Sequence, residues 1–198
     1  MQFTDPYKSI EVGIKLGKLT AGLFFILFDI QINVNGHGIG LLPAFAGYFA
    51  LMRGLCELKG ETPAFDRFRP YAAALGVFEL ALWVLHCAGI LGPAGLWAAL
   101  LGGISTAGRI FAANRLTIGM NDIEKRFAIP PAKEGLTGAW QRLAVLFAAA
   151  FVLRGIRGWS VISALAALLA GFSFFLRFIA AGRQYDAYRP PRHIPPRH

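Results

Sequence analysis

The stretch Tyr71 to Leu91, YAAALGVFELALWVLHCAGIL, constrains this chain more than any other. A helix of ~20 apolar residues spans a bilayer core of ~30 Å. Yet the run carries Glu79 near its middle and His86 two turns later. A carboxylate at that depth needs a partner, a proton or water. The remaining hydrophobic stretches are therefore read as the walls around this segment. Composition agrees, because 56% of residues are hydrophobic and only 16% charged, against about 25% charged in a soluble domain.

The net charge is +9. In a water-soluble chain that balance would point to nucleic acid. Here the basic residues fall between apolar runs, which suits anionic headgroups of a cytoplasmic leaflet and argues against nucleic acid.

Six spans are expected, at about 16–34, 39–58, 71–91, 94–113, 138–156 and 159–179. A segment 1–15 precedes them as a cytoplasmic lead-in with the character of a short surface helix. The first apolar run is longer than a signal-peptide core and lacks an Ala-x-Ala exit, so it reads as a retained span. Gly13 and Gly17 form a small-xxx-small pair at its entry. Asn35-Gly36 is a turn signal before span two, and Pro43 sits in that span's first turns, where its missing N–H costs little. The polar stretch Asn114 to Thr137 is expected as a loop, with a short interfacial helix from Asp122 to Phe127. Span five is the most interrupted, because Arg142 and Arg154 leave only eleven uncharged residues between them, but their long side chains can snorkel outward.

Orientation follows from charge. With six spans and both termini in the cytoplasm, every Lys and Arg except Arg154 and Arg157 belongs to a cytoplasmic segment or span end, as the positive-inside rule requires. Three spans followed by three have opposite orientations, as inverted-repeat transporters do, but the halves share no residue pattern.

Few ionisable groups lie inside the spans. Asp29 is near the outer end of span one, Glu79 and His86 share one face of span three, and Arg109 lies in span four. Depth pairs Glu79 with Arg109 and Asp29 with His86. Two uses are open for them: structural pairs that fix helix register, or a path for a proton or ion.

Signatures of other chemistry are missing. There is no His-Glu-x-x-His, no Walker loop and no Gly-x-Ser-x-Gly, so no catalytic residue is assigned and no cofactor is expected. Gly36-His-Gly-Ile-Gly40 lacks a preceding strand and is read as a turn. Adjacent His86 and Cys87 diverge by about 100° on a helix, a poor metal pair. Cys56 and Cys87 fall near opposite faces and build no disulfide framework. The tail 180–198 is basic and proline-rich, repeating Pro-Pro-Arg-His. It reads as an extended segment whose Arg189, Arg192 and Arg197 can touch lipid headgroups.

One stretch is similar to a known pattern. Phe28-Asp-Ile-Gln-Ile-Asn33, Gly36, Ile39-Gly-Leu-Leu-Pro-Ala-Phe-Ala-Gly-Tyr48, Gly54-Leu55, Leu58, Phe65 and Phe68-Arg69 resemble an uncharacterised family of small multi-pass membrane proteins of Gram-positive bacteria. That family's run has acids two before the Leu-Pro step and directly after the proline, where this chain has Gly40 and Ala44. The resemblance ends near Pro70. It implies a membrane location and a hairpin of spans one and two, and adds no site.

The expectation is thus an all-α fold, a polytopic transmembrane helical bundle of about six helices in a cytoplasmic membrane. Its function is either that of a small transporter or channel-like protein using Glu79 and His86, or that of a non-catalytic component that scaffolds or regulates a partner. The bilayer is the expected partner, and a homo-oligomer or a second membrane protein is compatible with either use.

Overall fold

The computed structural model describes residues 6–28, 31–34, 37–40, 43–90, 95–126, 135–153, 156 and 159–188; for 6–16, 31–34, 37–40, 160 and 186–188 only the backbone is described. Among the described residues there are six helices and one two-stranded hairpin: α1 (Pro6–Leu27), β1 (Gln31–Val34), β2 (His37–Gly40), α2 (Ala44–Glu57), α3 (Pro63–Cys87), α4 (Leu96–Arg126), α5 (Leu136–Leu153) and α6 (Trp159–Tyr188). Each helix packs on the next, and α6 returns to α1, so the bundle closes on itself. Asp29, Arg154, Arg157, Arg189, Arg192 and Arg197 lie outside the described residues.

Four helices are long and apolar enough to cross a membrane: α3, α4, α5 and most of α6. Between 17% and 33% of each apolar window is buried. Trp97, Val145, Val152 and Leu169 are at least two-thirds exposed, at 71%, 67%, 73% and 67%. So much outward apolar surface is unsuited to water, and its natural counterpart is lipid. The chain is a helical membrane protein.

The first two spans differ from expectation. Span one, expected over 16–34, is helical only to Leu27 and then becomes strand β1. Span two, expected over 39–58, is strand to Gly40 and helix from Ala44. β1 and β2 pair antiparallel, Gln31 with Gly40 and Val34 with His37, with Asn35-Gly36 between them. The alternation Gln-Ile-Asn-Val is the strand period, and it outweighs a helix broken by so many Gly and Asn.

Span three begins earlier than expected, and most of the described part of the Asn114 to Thr137 stretch is helical. α3 starts at Pro63, because Thr62 accepts a bond from the Ala64 N–H (3.0 Å) and Pro63 occupies the first turn, a favoured helix start. α4 runs unbroken to Arg126, so residues 122–126 of the separate interfacial helix expected at 122–127 are its last turns, and Phe127 lies outside the described residues. Leu116, Met120 and Ile123 recur at helical spacing and are buried, which holds those turns against the core. Residues 180–188, assigned to the tail, continue α6.

The core lies toward one end, here called the base, where α2 and α4 finish and α3 and α5 begin. Phe65, Phe68, Leu116, Met120, Leu143, Phe174 and Phe178 pack there with Leu19, Leu51 and Leu55. Polar contacts close the base: Lys18 pairs with Glu57, Thr62 donates to Asp122 (3.3 Å), Arg126 to the Glu61 carbonyl (2.8 Å), and Asn121 to Thr137 (2.9 Å).

α1 and α2 meet backbone to backbone. A Cβ on Gly22 would lie 2.7 Å from the Gly47 carbonyl oxygen, and one on Gly47 would lie 2.7 Å from the Gly22 oxygen. Close approach through glycine is how helices associate in lipid. The expected Gly17 does not serve this role, since a Cβ there would meet nothing within 4 Å. Gly22→Ala or Gly47→Ala should therefore cost about 1–3 kcal/mol through overpacking. Gly17→Ala should be neutral or stabilise by up to ~1 kcal/mol, the helix-propensity gain. Thermal unfolding of the purified variants in detergent distinguishes these outcomes.

Candidate functional site

α2, α3 and α4 meet around Glu79. The helix periodicity turns Gly76, Glu79 and Leu82 of α3 inward, and the same spacing on α4 turns Ser105, Gly108 and Ala112 inward. Glu79 is 7% exposed. Ser105 Oγ donates to Glu79 Oε1 at 2.5 Å. A hydroxyl bond to a buried carboxylate is charge-assisted when the acid is ionised.

Tyr48 enters from α2 and is fully buried. Its ring passes Gly76, where an added Cβ would stand 3.2 Å from Tyr48 Cβ. Its hydroxyl reaches α4, 3.6 Å from where a Gly108 Cβ would be. The two glycines thus provide the space for a tyrosine between helices. That hydroxyl lies within Coulombic reach of both Glu79 and Arg109, yet has no hydrogen-bond partner among the described residues. One turn above Glu79, the Trp83 ring packs edge-on against Phe45 (5.5 Å), and its buried Nε1 also finds no acceptor there. Arg109 is half-buried on α4, one turn below Ser105.

Two of the four expected site residues, Glu79 and Arg109, are thus brought to one polar cluster. His86 is not. It is exposed near the end of α3, about 10 Å along the helix from Glu79 at 1.5 Å per residue. His86 Nδ1 lies 2.9 Å from the Leu82 carbonyl. A carbonyl only accepts, so Nδ1 carries the proton in that bond. Asp29, its expected partner, lies outside the described residues. Sequence inspection missed Ser105, Tyr48 and Trp83. Ser105 had a readable signal, since it precedes Arg109 by one helical turn on α4. Tyr48 had none, because an aromatic in an apolar helix does not reveal where its hydroxyl points.

The cluster lies at the level where α1 and α2 stop. Phe45, in the first turn of α2, touches Trp83, and Pro43 caps that helix without a side-chain bond. Among the described residues no group of three or more His, Cys, Asp or Glu is arranged to hold a metal ion. The cluster can hold a proton on Glu79 and accept or donate hydrogen bonds through Ser105 and Tyr48.

Comparison with protein-family models, curated proteins and solved structures gives no match, so the site is judged by its own chemistry. Ser105→Ala leaves a buried carboxylate without its hydroxyl and should cost about 1–3 kcal/mol. Tyr48→Phe removes a hydroxyl that bonds to nothing among the described residues and should be neutral or slightly stabilising. Melting temperatures of the two variants read the contrast. A Tyr48→Phe loss as large as that of Ser105→Ala would mean the hydroxyl has a partner after all.

Proposed function

We propose that this chain is a small polytopic protein of a bacterial cytoplasmic membrane that moves a proton or a small ion past Glu79. One observation carries the proposal. A carboxylate is buried among three helices of a membrane protein, held by Ser105, beside a tyrosine hydroxyl without a partner among the described residues. Ionisable groups inside spans are costly and commonly mark ion paths. Transporter sites often lie where spans break off near mid-depth, as α1 and α2 do here beside Trp83.

The base carries Lys18, Arg53, Arg67, Arg69, Arg115, Lys125 and Arg126. The positive-inside rule assigns that end to the cytoplasm, and α1 starts and α6 finishes on the same side. The Phe28 to Pro70 resemblance to Gram-positive membrane proteins supports the bacterial setting.

A second reading makes the chain a non-catalytic component that assembles or regulates a membrane partner or a second copy of itself. Two details favour it. Glu79 is satisfied by the protein's own Ser105, and His86, expected to extend the path, is exposed and tied to the Leu82 carbonyl.

Reconstitution separates the two. In vesicles loaded with a pH-sensitive dye and energised by a potassium diffusion potential, wild type should carry protons above the rate of empty vesicles. Glu79→Gln, still folded, should fall to the empty-vesicle rate, and Glu79→Asp should recover part of the flux. Equal flux in wild type and Glu79→Gln removes the carboxylate from the path. No flux in wild type leaves the second reading.

A further inference from the structure

α5 and α6 pack antiparallel, with Phe147 and Leu143 touching the position a Gly171 Cβ would take, at 3.8 and 4.0 Å. Beside that contact a cavity of about 310 Å³ opens outward. Its apolar lining is Leu146, Leu169 and three alanines, Ala139, Ala166 and Ala170. Its polar lining among the described residues is Arg142 and Ser173.

The order of these residues gives the groove a direction. α5 rises from the base, so Arg142 lies one turn below Leu146. α6 descends toward the base, so Ser173 lies below Ala166, Leu169 and Ala170. Leu146, Ala166, Leu169 and Ala170 are therefore upper, Arg142 and Ser173 lie below them, and Ala139 lies below Arg142. Arg177 follows Ser173 by one turn on the same face of α6. The first turns of α5 also present the positive end of a helix dipole toward this region. Leu169, at the mouth, is 67% exposed, and Arg142 is exposed.

We propose that this groove binds an anionic glycerophospholipid, with one acyl chain along the leucine and alanine floor and the phosphate against Arg142 and the Ser173 hydroxyl. Charge complementarity selects the occupant. A guanidinium pairs with phosphate in two-point geometry, and the hydroxyl adds a donor. A zwitterionic headgroup would set its own cation near Arg142 and Arg177. The volume sits at the lower edge of the ~300–1,000 Å³ common for ligand sites, which suits one chain and not a whole lipid. The inference requires a membrane location but not ion movement through Glu79.

Native mass spectrometry of the full chain tests it, with equimolar phosphatidylglycerol and phosphatidylcholine of the same acyl chains. Wild type should retain phosphatidylglycerol over phosphatidylcholine by about fivefold or more, the electrostatic weight of one arginine near an anionic headgroup. Arg142→Gln should remove most of that preference. Ala166→Leu, which fills the apolar part, should lower retention of both lipids while circular dichroism keeps the wild-type helix content. Inorganic phosphate should not displace the lipid, because it lacks the chain. Equal retention of the two lipids by wild type overturns the proposal. So does a preference that survives Arg142→Gln, displacement by phosphate alone, or a dimer mass that Ala166→Leu abolishes.

Discussion

Within a bilayer core a backbone amide finds no water, so each N–H and C=O must be bonded within the protein. That demand explains why α3 to α6 are long and unbroken. It also makes the first forty residues the unusual part. The apolar part of α1 is the helix Gly17–Leu27 and α2 has 14 residues, about 16 and 21 Å long at 1.5 Å per residue. Neither reaches the ~30 Å of a hydrocarbon core. The strands of the β1–β2 hairpin add about 13 Å, so helix and strand together approach one bilayer thickness. A two-stranded ladder leaves its outer edges unbonded. β2 packs on α3, so that side faces protein, and the remaining edge groups need protein or water. Backbone of this kind is tolerated at depth only in such surroundings.

The polar cluster gains its place from the same interruption. α1 and α2 end beside Trp83 and Glu79, where only α3 to α6 and the hairpin continue upward. Below that level six helices pack around a dense aromatic core. Above it the four long helices expose most of their apolar surface. Glu79 and Ser105 thus sit at the boundary between a fully packed layer and an open one. The two glycines, Gly76 and Gly108, admit the Tyr48 ring to that boundary. Their small size is a packing condition for the cluster.

The sequence revealed much of this, for identifiable reasons. Long apolar runs pointed to α3, α5 and α6, since hydropathy over twenty residues is a strong signal. The start of α3 was missed because Asp66, Arg67, Arg69 and Pro70 look like loop, although Thr62-Pro63 is a helix-start pair. The end of α4 was missed because its polar residues outnumber the buried Leu116, Met120 and Ile123, whose spacing was legible. In β1 a period-2 alternation followed by Asn-Gly is a hairpin signal, but it adjoins an apolar helical run and reads as the end of span one. Glu79 was recognisable because a carboxylate in an apolar run stands out. Its hydroxyl partner was not, because serine is common in membrane helices and its partner depends on the pairing of α3 with α4.

The asymmetry between base and top also bears on how the bundle is held in lipid. Helices in a membrane gain little from burying leucine against leucine, since lipid tails are equally apolar. Cohesion must then come from close packing and polar contacts. Gly22 on Gly47 supplies close packing near the upper ends of α1 and α2, and at the base stand the Phe65 ring over Gly119 and the Lys18–Glu57, Thr62–Asp122 and Asn121–Thr137 contacts. Higher up, Trp140 ties α5 to α4 at the Ile110 carbonyl and Ser105 ties α4 to α3 at Glu79. Among the described residues the base is thus the part tied by charged and polar cross-helix contacts, and the top is the part that meets lipid. Glu79 lies where the two meet, so a change in how the upper helices splay would alter access to it before it altered the core below.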